Sequence, residues 1–407
     1  MTNLNTIAIG RQVTAYFVKD GAIHVPLEHN KIIHGGDMRW HHFCIRCSLL
    51  RIIITNYRYP LQWFRALKFL IRLRKRFLGH HALQKMVYAH GKYYMGLYTP
   101  GWNGSGYDTF IASQLNDFKK INAKVNRFNT VFVAVTKKCA LQCEHCYEWD
   151  NLNKKDTLTT EKLMQTVAKL QHYGVSQIQF SGGEPLLKIE SIIEVLRNAN
   201  KTTEFWIATS GFKLTNQNAY NLKEAGLTGV IISLDHFIPE KHNAFRGFKD
   251  AYYWVAEAIK NANQNNLVVA LSLCVTKGFI SEENLMSYMH MAKKMGVGFV
   301  QFLEPKAVGH FANQDVHLQK EHIQILENFF LKLNYNKAYR AFPLITYHGY
   351  YQRREGCFSA GIKGIYLDTD GDINACPFCH KKTGNVLDAS FEQHLATLKN
   401  AGCSSYN

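Results

Sequence analysis

Three cysteines fall within one short run, "KKCALQCEHCYEW" (137–149), as Cys139, Cys143 and Cys146 at a C-x3-C-x2-C spacing. Clustered thiolates are soft ligands for zinc or iron, and a closed structural zinc site takes four, usually as two pairs brought from separate places. No fourth cysteine lies near this run. His145 lies inside it, but a side chain next to a ligating Cys146 points away from the same ion. An iron-sulfur cubane held by three cysteines leaves one iron open to an outside ligand. A disulfide framework suits a secreted chain, whereas MTNLNTIAIG at the start has no basic stretch followed by an apolar one, so a reducing cytoplasm is expected.

A second group lies in "CFSAGIKGIYLDTDGDINACPFCHKKTGN", which holds Cys357, Cys376 and Cys379, with Cys403 beyond it. The "DTDGDIN" stretch makes a hairpin turn that brings Cys357 and Cys376 together. Four thiolates there suit zinc as well as a cluster, because spacing alone does not choose the metal. Cys44 and Cys47, beside His41 and His42, form a lone CxxC on an apolar stretch, which more often packs than ligates. Cys274 ends an apolar run and reads as core.

The elements that must position these groups begin near residue 129. Apolar runs at 131–135, 177–180, 205–208, 229–233, 268–274 and 299–303 read as strands. Helical patterns at 159–173, 189–199, 216–225, 250–264 and 281–295 alternate with them. Repeated β/α units of this size imply a parallel sheet with helices outside, an open doubly wound sheet or a barrel. Functional groups then gather on loops at the carboxyl ends of the strands. The cysteine run follows the first strand, "SGGEPLL" (181–187) the second, "ATSGFKL" (208–214) the third and "SLDH" (233–236) the fourth, so all share one rim. A further helix near 318–333 leads into the cysteine-bearing tail.

The 407 residues carry a net charge of +17, unevenly placed. Residues 1–128 hold 19 Lys and Arg against 5 Asp and Glu, while the remaining 279 hold 29 against 26. Within that basic third, "PLQWFRALKFLIRLRKRFL" (60–78) sets Trp63, Phe64, Leu67, Leu70, Ile71 and Leu78 near one helical face, with Arg65, Lys68, Arg72, Lys75 and Arg76 largely opposite. Such a helix lies on an anionic bilayer or an acidic partner, or docks on its own core. Nucleic acid is the weaker partner, since no helix-turn-helix, zinc-finger or RNA-binding signature accompanies the charge. No apolar run reaches spanning length.

C-x3-C-x2-C after the first strand of a β/α array, followed by G-G-E-P after the second, resembles the radical S-adenosylmethionine (radical SAM) enzymes over residues 129–310. That resemblance implies an α/β fold, a partial (β/α)6 TIM-like barrel, with a [4Fe-4S] cluster on Cys139, Cys143 and Cys146. It implies that S-adenosylmethionine chelates the open iron. One electron, delivered by reduced flavodoxin or ferredoxin, then cleaves the sulfonium C–S bond to give a 5'-deoxyadenosyl radical that removes a hydrogen atom from an unactivated carbon.

The same resemblance implies that Gly182 and Gly183 let the loop lie against the methionine portion and that Glu184 accepts from its ammonium group. The plain alternative is a strand-to-helix turn stopped by Pro185. Thr209, Ser210 and Gly211 stand where relatives often show T-N-G. Ser233 and Asp235 match a serine-rich fourth-strand loop, with Asp235 directed at the ribose. "HNAFRGF" (242–248) resembles an H-x3-R-G stretch that makes Arg246 a candidate for the carboxylate. Helix caps for the acids and a surface ion pair for the arginine are the plain alternatives.

In the tail, C-x13-G-x4-C with a further x2-C and G-N at 384–385 is similar to SPASM and twitch extensions. Only three or four of their seven cysteines are present, which implies one auxiliary iron-sulfur cluster on Cys357, Cys376, Cys379 and Cys403. The expected organisation is a basic N-terminal domain (1–128), a radical SAM core (129–310), a linking helix (311–350) and a small iron-sulfur domain (351–407). Relatives with auxiliary clusters often modify ribosomally made precursor peptides. A peptide is therefore the leading substrate, and a membrane-associated lipid or small molecule is the alternative, with peripheral contact at the inner membrane face. "KYYMGLYTPGWNGSGYDTF" (92–110) is aromatic and glycine-rich and is expected to line a substrate channel. The non-enzyme alternative is a metal-stabilised membrane or nucleic-acid binding module.

Overall fold

The computed structural model describes residues 30–121, 128–357, 359–398 and 400. The N-terminal unit runs β1 (Lys31–His34), α1 (Gly36–Asn56), α2 (Pro60–Leu78), β2 (Lys85–Ala89), β3 (Lys92–Tyr94) and α3 (Ser105–Phe118). Its strands form an antiparallel sheet in the order β1-β2-β3. The helices bury Ile52, Ile53, Ala66, Leu70, Tyr107, Ile111 and Leu115 against one another.

The barrel follows as β4 (Thr130–Ala134), α4 (Thr160–His172), β5 (Gln177–Ser181), α5 (Ile189–Asn198), β6 (Glu204–Thr209), α6 (Asn216–Ala225) and β7 (Gly229–Ser233). It continues with α7 (Pro239–Arg246), α8 (Ala251–Gln264), β8 (Val268–Cys274), α9 (Glu282–Lys294), β9 (Phe299–Leu303), α10 (Lys320–Tyr335) and β10 (Leu344–Tyr347). The tail adds α11 (His348–Glu355), β11 (Gly364–Leu367), β12 (Ile373–Asn374) and α12 (Phe391–Leu398).

Strand order is β10-β9-β8-β7-β6-β5-β4-β11-β12, and every neighbouring pair is parallel except β11 with β12. This is the partial barrel expected, with two additions. The stretch read as a linking helix contains β10, paired with β9, and the tail inserts β11 beside β4. Both strands are only four residues long, too short for a periodicity to register.

Alternation along the strands explains the layers. Val131, Val133, Ile178, Phe180, Phe205, Ile207, Val230, Ile232, Leu271 and Phe302 point out and pack with the surrounding helices in the main core. Trp206, Ile231, Val268, Ala270, Phe299 and Leu344 point in at the amino-terminal end, where Val87, Ala89, Tyr94 and Leu97 of the N-terminal unit fill the lumen against them. Tyr94 meets Trp206 and Phe299 edge-on, with ring centres 6.4 and 6.5 Å apart. Within the 92–110 stretch, Tyr94, Leu97 and Tyr98 thus floor the barrel, with Tyr98 accepting from Gln301 Nε2 at 2.7 Å, while Tyr107 and Phe110 pack with the N-terminal helices. Threonine and serine N-caps start the outer helices: Thr159, Thr215 and Ser281 each accept from a backbone N–H three residues on.

Lys85 joins the two units. It is buried, and its Nζ donates to the carbonyls of Leu333, Tyr339, Phe342 and Pro343 at 2.9, 3.2, 2.9 and 3.0 Å. Burial alone pulls its pKa down to about 7, but a cage of four acceptors is served best by the three protons of the ammonium form. Lys85→Met strands those carbonyls in a dry site, so denaturant unfolding is expected to show a loss of about 2–4 kcal/mol. A loss below about 0.5 kcal/mol means the cage is not structural.

Candidate metal centre

The cysteine run leaves β4 and crosses the carboxyl rim without regular secondary structure, yet it is tied down along its length. Lys137 N donates to Asp156 Oδ1 at 2.7 Å, and Cys139 N to Asn153 Oδ1 at 3.1 Å. Gln142 N and Glu144 N donate to the carbonyls of Arg246 and Phe245 at 3.2 and 3.0 Å. His310, after β9, donates its backbone N–H to Cys146 O at 2.9 Å, bonds Cys143 O through Nδ1 at 2.9 Å, and stacks on Trp149 at 3.7 Å. Leu141 and Cys143 are buried with Ala251, and Cys139 and Cys146 pack against the same cluster. All three cysteines thus share one packed patch.

The turn after β5 rests on this run. Gly183 N donates to Thr136 O at 2.7 Å and Glu184 N to Lys138 O at 2.8 Å. A Cβ on Gly183 would sit 2.3 Å from Lys138 O, and one on Gly182, where φ is +122°, would sit 2.6 Å from Thr136 O. The close approach that the glycines permit is to the cysteine loop itself.

Glu184 is buried, and burial pulls its pKa up. One carboxylate oxygen accepts from Leu186 N at 3.1 Å and Thr209 Oγ1 at 2.7 Å. The other accepts from Ser210 N at 2.9 Å and from the Ser210 hydroxyl. The turn after β5 is thereby joined to the loop after β6. All four lone-pair sites of the carboxylate are in use.

Asp235 and Arg246 are found together, and the pair is buried rather than on the surface. Arg246 Nε donates to Asp235 Oδ2 at 2.6 Å and its Nη1 to Cys143 Sγ at 3.5 Å, while Cys274 N donates to Asp235 Oδ1 at 3.0 Å. Burial pushes the Asp235 pKa up, but the guanidinium outweighs it and holds the carboxyl below its ordinary value. The same pairing outweighs desolvation at Arg246 and raises it. His242 Nδ1 accepts from Asp235 N at 3.1 Å, so the H-x3-R spacing on α7 is a device that seats the pair. Ser233 is half-buried at the end of β7. A shallow recess opens beside the pair, lined by His236, Lys241, Phe245, Thr276 and Phe279 among others.

Burial pushes the Cys139 thiol up to about 11 and Cys146 up to about 12, and raises Cys143, so a cation is what makes thiolates of them. Among the described residues no three His, Cys, Asp or Glu side chains are gathered as for a single metal ion. Ligands of one zinc at about 2.3 Å sit within about 4 Å of each other, whereas cluster ligands bind separate irons and stand wider. His145 turns its ring onto Phe245 at 4.8 Å, and burial pushes its pKa down to about 4.

In the tail, Asp368 accepts from the N–H groups of Asp370 and Asp372 at 3.0 Å each and forms the turn between β11 and β12. Asn385 Nδ2 donates to Asp370 O and Asp372 Oδ1 at 2.9 Å each, so the G-N pair braces that turn. Cys379 N donates to Cys376 O at 3.0 Å. Phe378 between them lies 5.8 Å from the ring of Tyr147, the residue after Cys146, and His380 lies 6.2 Å from it. The Tyr366 hydroxyl donates to Glu148, and Lys137 Nζ to Asp370 Oδ1 at 2.7 Å. Cys357 follows α11, and Cys403 lies outside the described residues. Cys44 and Cys47 lie on α1, and Cys274 is buried as expected. Asp156, His310 and Trp149 belong to no motif, and their role is visible only once the chain is folded.

Residues 133–292 match the Radical SAM superfamily. Among curated proteins, the chain is 28% identical over 181 residues to the GTP 3',8-cyclase of Aliarcobacter butzleri, covering 42% of this chain and 54% of that protein. It is 26% identical over 272 residues to a probable GTP 3',8-cyclase of Saccharolobus islandicus, covering 63% and 85%. The chain thus spans about half of one such relative and most of the other. Among solved structures, Streptococcus suis SuiB bound to precursor peptide SuiA superposes with a TM-score of 0.55 at 12% identity, covering 86% of this chain and 82% of that one. The chain carries a radical SAM domain, of the class of iron-sulfur enzymes that take S-adenosylmethionine and a [4Fe-4S] cluster. Its residues fit such a cluster: three thiols on one packed patch, N–H donors on the sulfurs of Cys139 and Cys143, and a glycine turn that admits no Cβ.

Gly183→Ala is expected to push the two loops apart, lowering stability by about 1–3 kcal/mol and lowering the iron retained after anaerobic reconstitution. Wild-type iron content in that variant would mean the contact is dispensable. Asp235→Asn leaves a buried guanidinium uncompensated, and thermal unfolding is expected to report a loss of about 3–5 kcal/mol. Because the folded carboxyl is held below its unfolded value, its contribution is present above about pH 4 and is lost as pH falls through the folded pKa. The variant's stability should therefore fall less steeply than wild type in that acid range.

Proposed function

We propose that this chain, whose residues 133–292 form a radical SAM domain, is an enzyme that modifies a ribosomally made precursor peptide by hydrogen-atom abstraction. The observation that carries this reading is the meeting of the three-cysteine run, the Gly-Gly-Glu turn and the Arg246 guanidinium on one rim of the barrel. With a [4Fe-4S] cluster and S-adenosylmethionine bound, the site supplies one-electron cleavage of the sulfonium C–S bond to methionine and a 5'-deoxyadenosyl radical, the electron coming from reduced flavodoxin or ferredoxin.

Cys139, Cys143 and Cys146 hold the cluster. Arg246, neutralised on one side by Asp235, directs its remaining donor at the Cys143 sulfur, a contact of the kind that sets a cluster's potential. Gly182 and Gly183 keep the β5 turn seated on the cysteine loop. Glu184 takes the cosubstrate ammonium when the Ser210 hydroxyl rotates away from it, and Ser233 and Asp235 line the approach to the ribose. Cys357, Cys376, Cys379 and Cys403 hold one auxiliary cluster in a SPASM/twitch-like tail at 351–407.

A peptide substrate is supported by the likeness to SuiB, whose structure is bound to a precursor peptide, and by a basic N-terminal third that suits an acidic leader. A second reading, a small molecule, is favoured by the curated relatives, which are GTP 3',8-cyclases. A lipid-like substrate at the inner membrane face is the third.

Anaerobic reconstitution with dithionite and S-adenosylmethionine is expected to yield 5'-deoxyadenosine. Cys143→Ala should abolish that product while the tail keeps its iron. Zinc in place of iron and sulfide, or cleavage retained in the variant, removes the assignment. Mass spectrometry of a peptide encoded beside the gene, run in parallel with GTP, separates the substrates by which one changes mass.

A further inference from the structure

Twelve large apolar side chains stand exposed among the described residues, and nine of them fall between Trp40 and Phe77. On α1 they are Trp40, Phe43, Leu50 and Ile54, spaced so that they share the face opposite buried Ile45, Ile52 and Ile53. On α2, Leu61, Phe64 and Ile71 likewise lie opposite buried Ala66 and Leu70. The two helices contact each other and α3, with Met38 and Ile45 of α1 packed on β1 and β2, so both outer stripes are left free of these contacts. Phe64 is 71% exposed and Trp40 63%. Large apolar side chains exposed in such number on two adjacent helices mark an interaction site.

The flanking charge says which kind. Residues 36–78 hold ten Lys and Arg against one acid, Asp37, and all ten cations are exposed. Only Arg51 and Arg76 meet a carboxylate among the described residues, Asp108 and Glu355. Arg39, Arg46, Arg58, Arg65, Lys68, Arg72, Arg74 and Lys75 surround or interrupt the apolar stripes. A second copy of this face would bring like charges together, and a soluble acidic peptide would leave the aromatic side chains in water. An anionic bilayer satisfies both parts, with phosphates for the cations and the acyl boundary for the rings. No helix among the described residues is long and apolar enough to cross a membrane, so the contact lies in the interface plane.

We infer that the outer face of the α1–α2 hairpin is a peripheral docking surface for anionic lipid bilayers, built from both helices. It does not depend on the radical SAM reading, and its failure would leave that reading intact.

The test is flotation of the full-length protein with vesicles of phosphatidylcholine alone and of phosphatidylcholine with one quarter phosphatidylglycerol. The protein is expected to float with the anionic vesicles only and to be released by salt near 0.5 M, where the Debye length falls to about 4 Å. Arg65→Ser with Arg72→Ser should weaken partition about 30-fold, at roughly a factor of five per cation. Trp40→Ser with Phe64→Ser should weaken it at least about tenfold, with circular dichroism and reconstituted iron unchanged. Four results overturn the proposal: equal flotation with neutral vesicles, no flotation with either, a salt-resistant dimer in sedimentation that the Trp40→Ser/Phe64→Ser variant abolishes, or competition by soluble polyglutamate that this variant leaves unchanged.

Discussion

Asp235 and Arg246 are buried as a charged pair beside the middle cysteine, and the rest of the rim is arranged so that they are not left alone. Burying two charges costs several kcal/mol per ion unless geometry and extra hydrogen bonds offset it. Here the carboxylate takes the guanidinium on one oxygen and the Cys274 N–H on the other, and α7 anchors Arg246 one turn after His242, which receives the Asp235 N–H. The backbone carbonyl of Arg246 in turn receives Gln142 N from the cysteine run. One ion pair thus fixes the ends of β7 and β8, a short helix and the metal loop in a single arrangement.

The barrel was legible because parallel strands are buried on both faces and read as continuous apolar runs, while their helices carry capped amphipathic patterns. The runs at 229–233, 268–274 and 299–303 became β7, β8 and β9 with the same bounds. Elements made of few residues escaped. Leu344–Tyr347 and Gly364–Leu367 are strands only because β9 and β4 offer edges to them, which is information held elsewhere in the chain.

Side-chain types at the rim were also legible, but their partners were not. The glycines after β5 invite a close approach, and folding shows the visitor to be the 136–138 backbone. Asp235 and Arg246 stood out as separate polar groups eleven residues apart, and only the crossing of α7 over the rim makes them one unit. The role of the N-terminal third in flooring the barrel left no motif, because complementary apolar shape carries no residue code. In the 60–78 helix, the open choice between docking and exposure resolves into both, with Ala66 and Leu70 buried and Phe64 and Ile71 outside.

The pairing of β11 with β4 brings together residues more than 230 positions apart, Thr130 with Gly364 and Val133 with Leu367. Contacts of such separation form late, since the long loop between them must close first. A chain emerging from the ribosome therefore cannot complete the β4 edge, or seat Phe378 and His380 on Tyr147, until residues 364–380 are free. The strand that leads into the cysteine run is in consequence left with an open edge until chain more than 230 residues further on has been made.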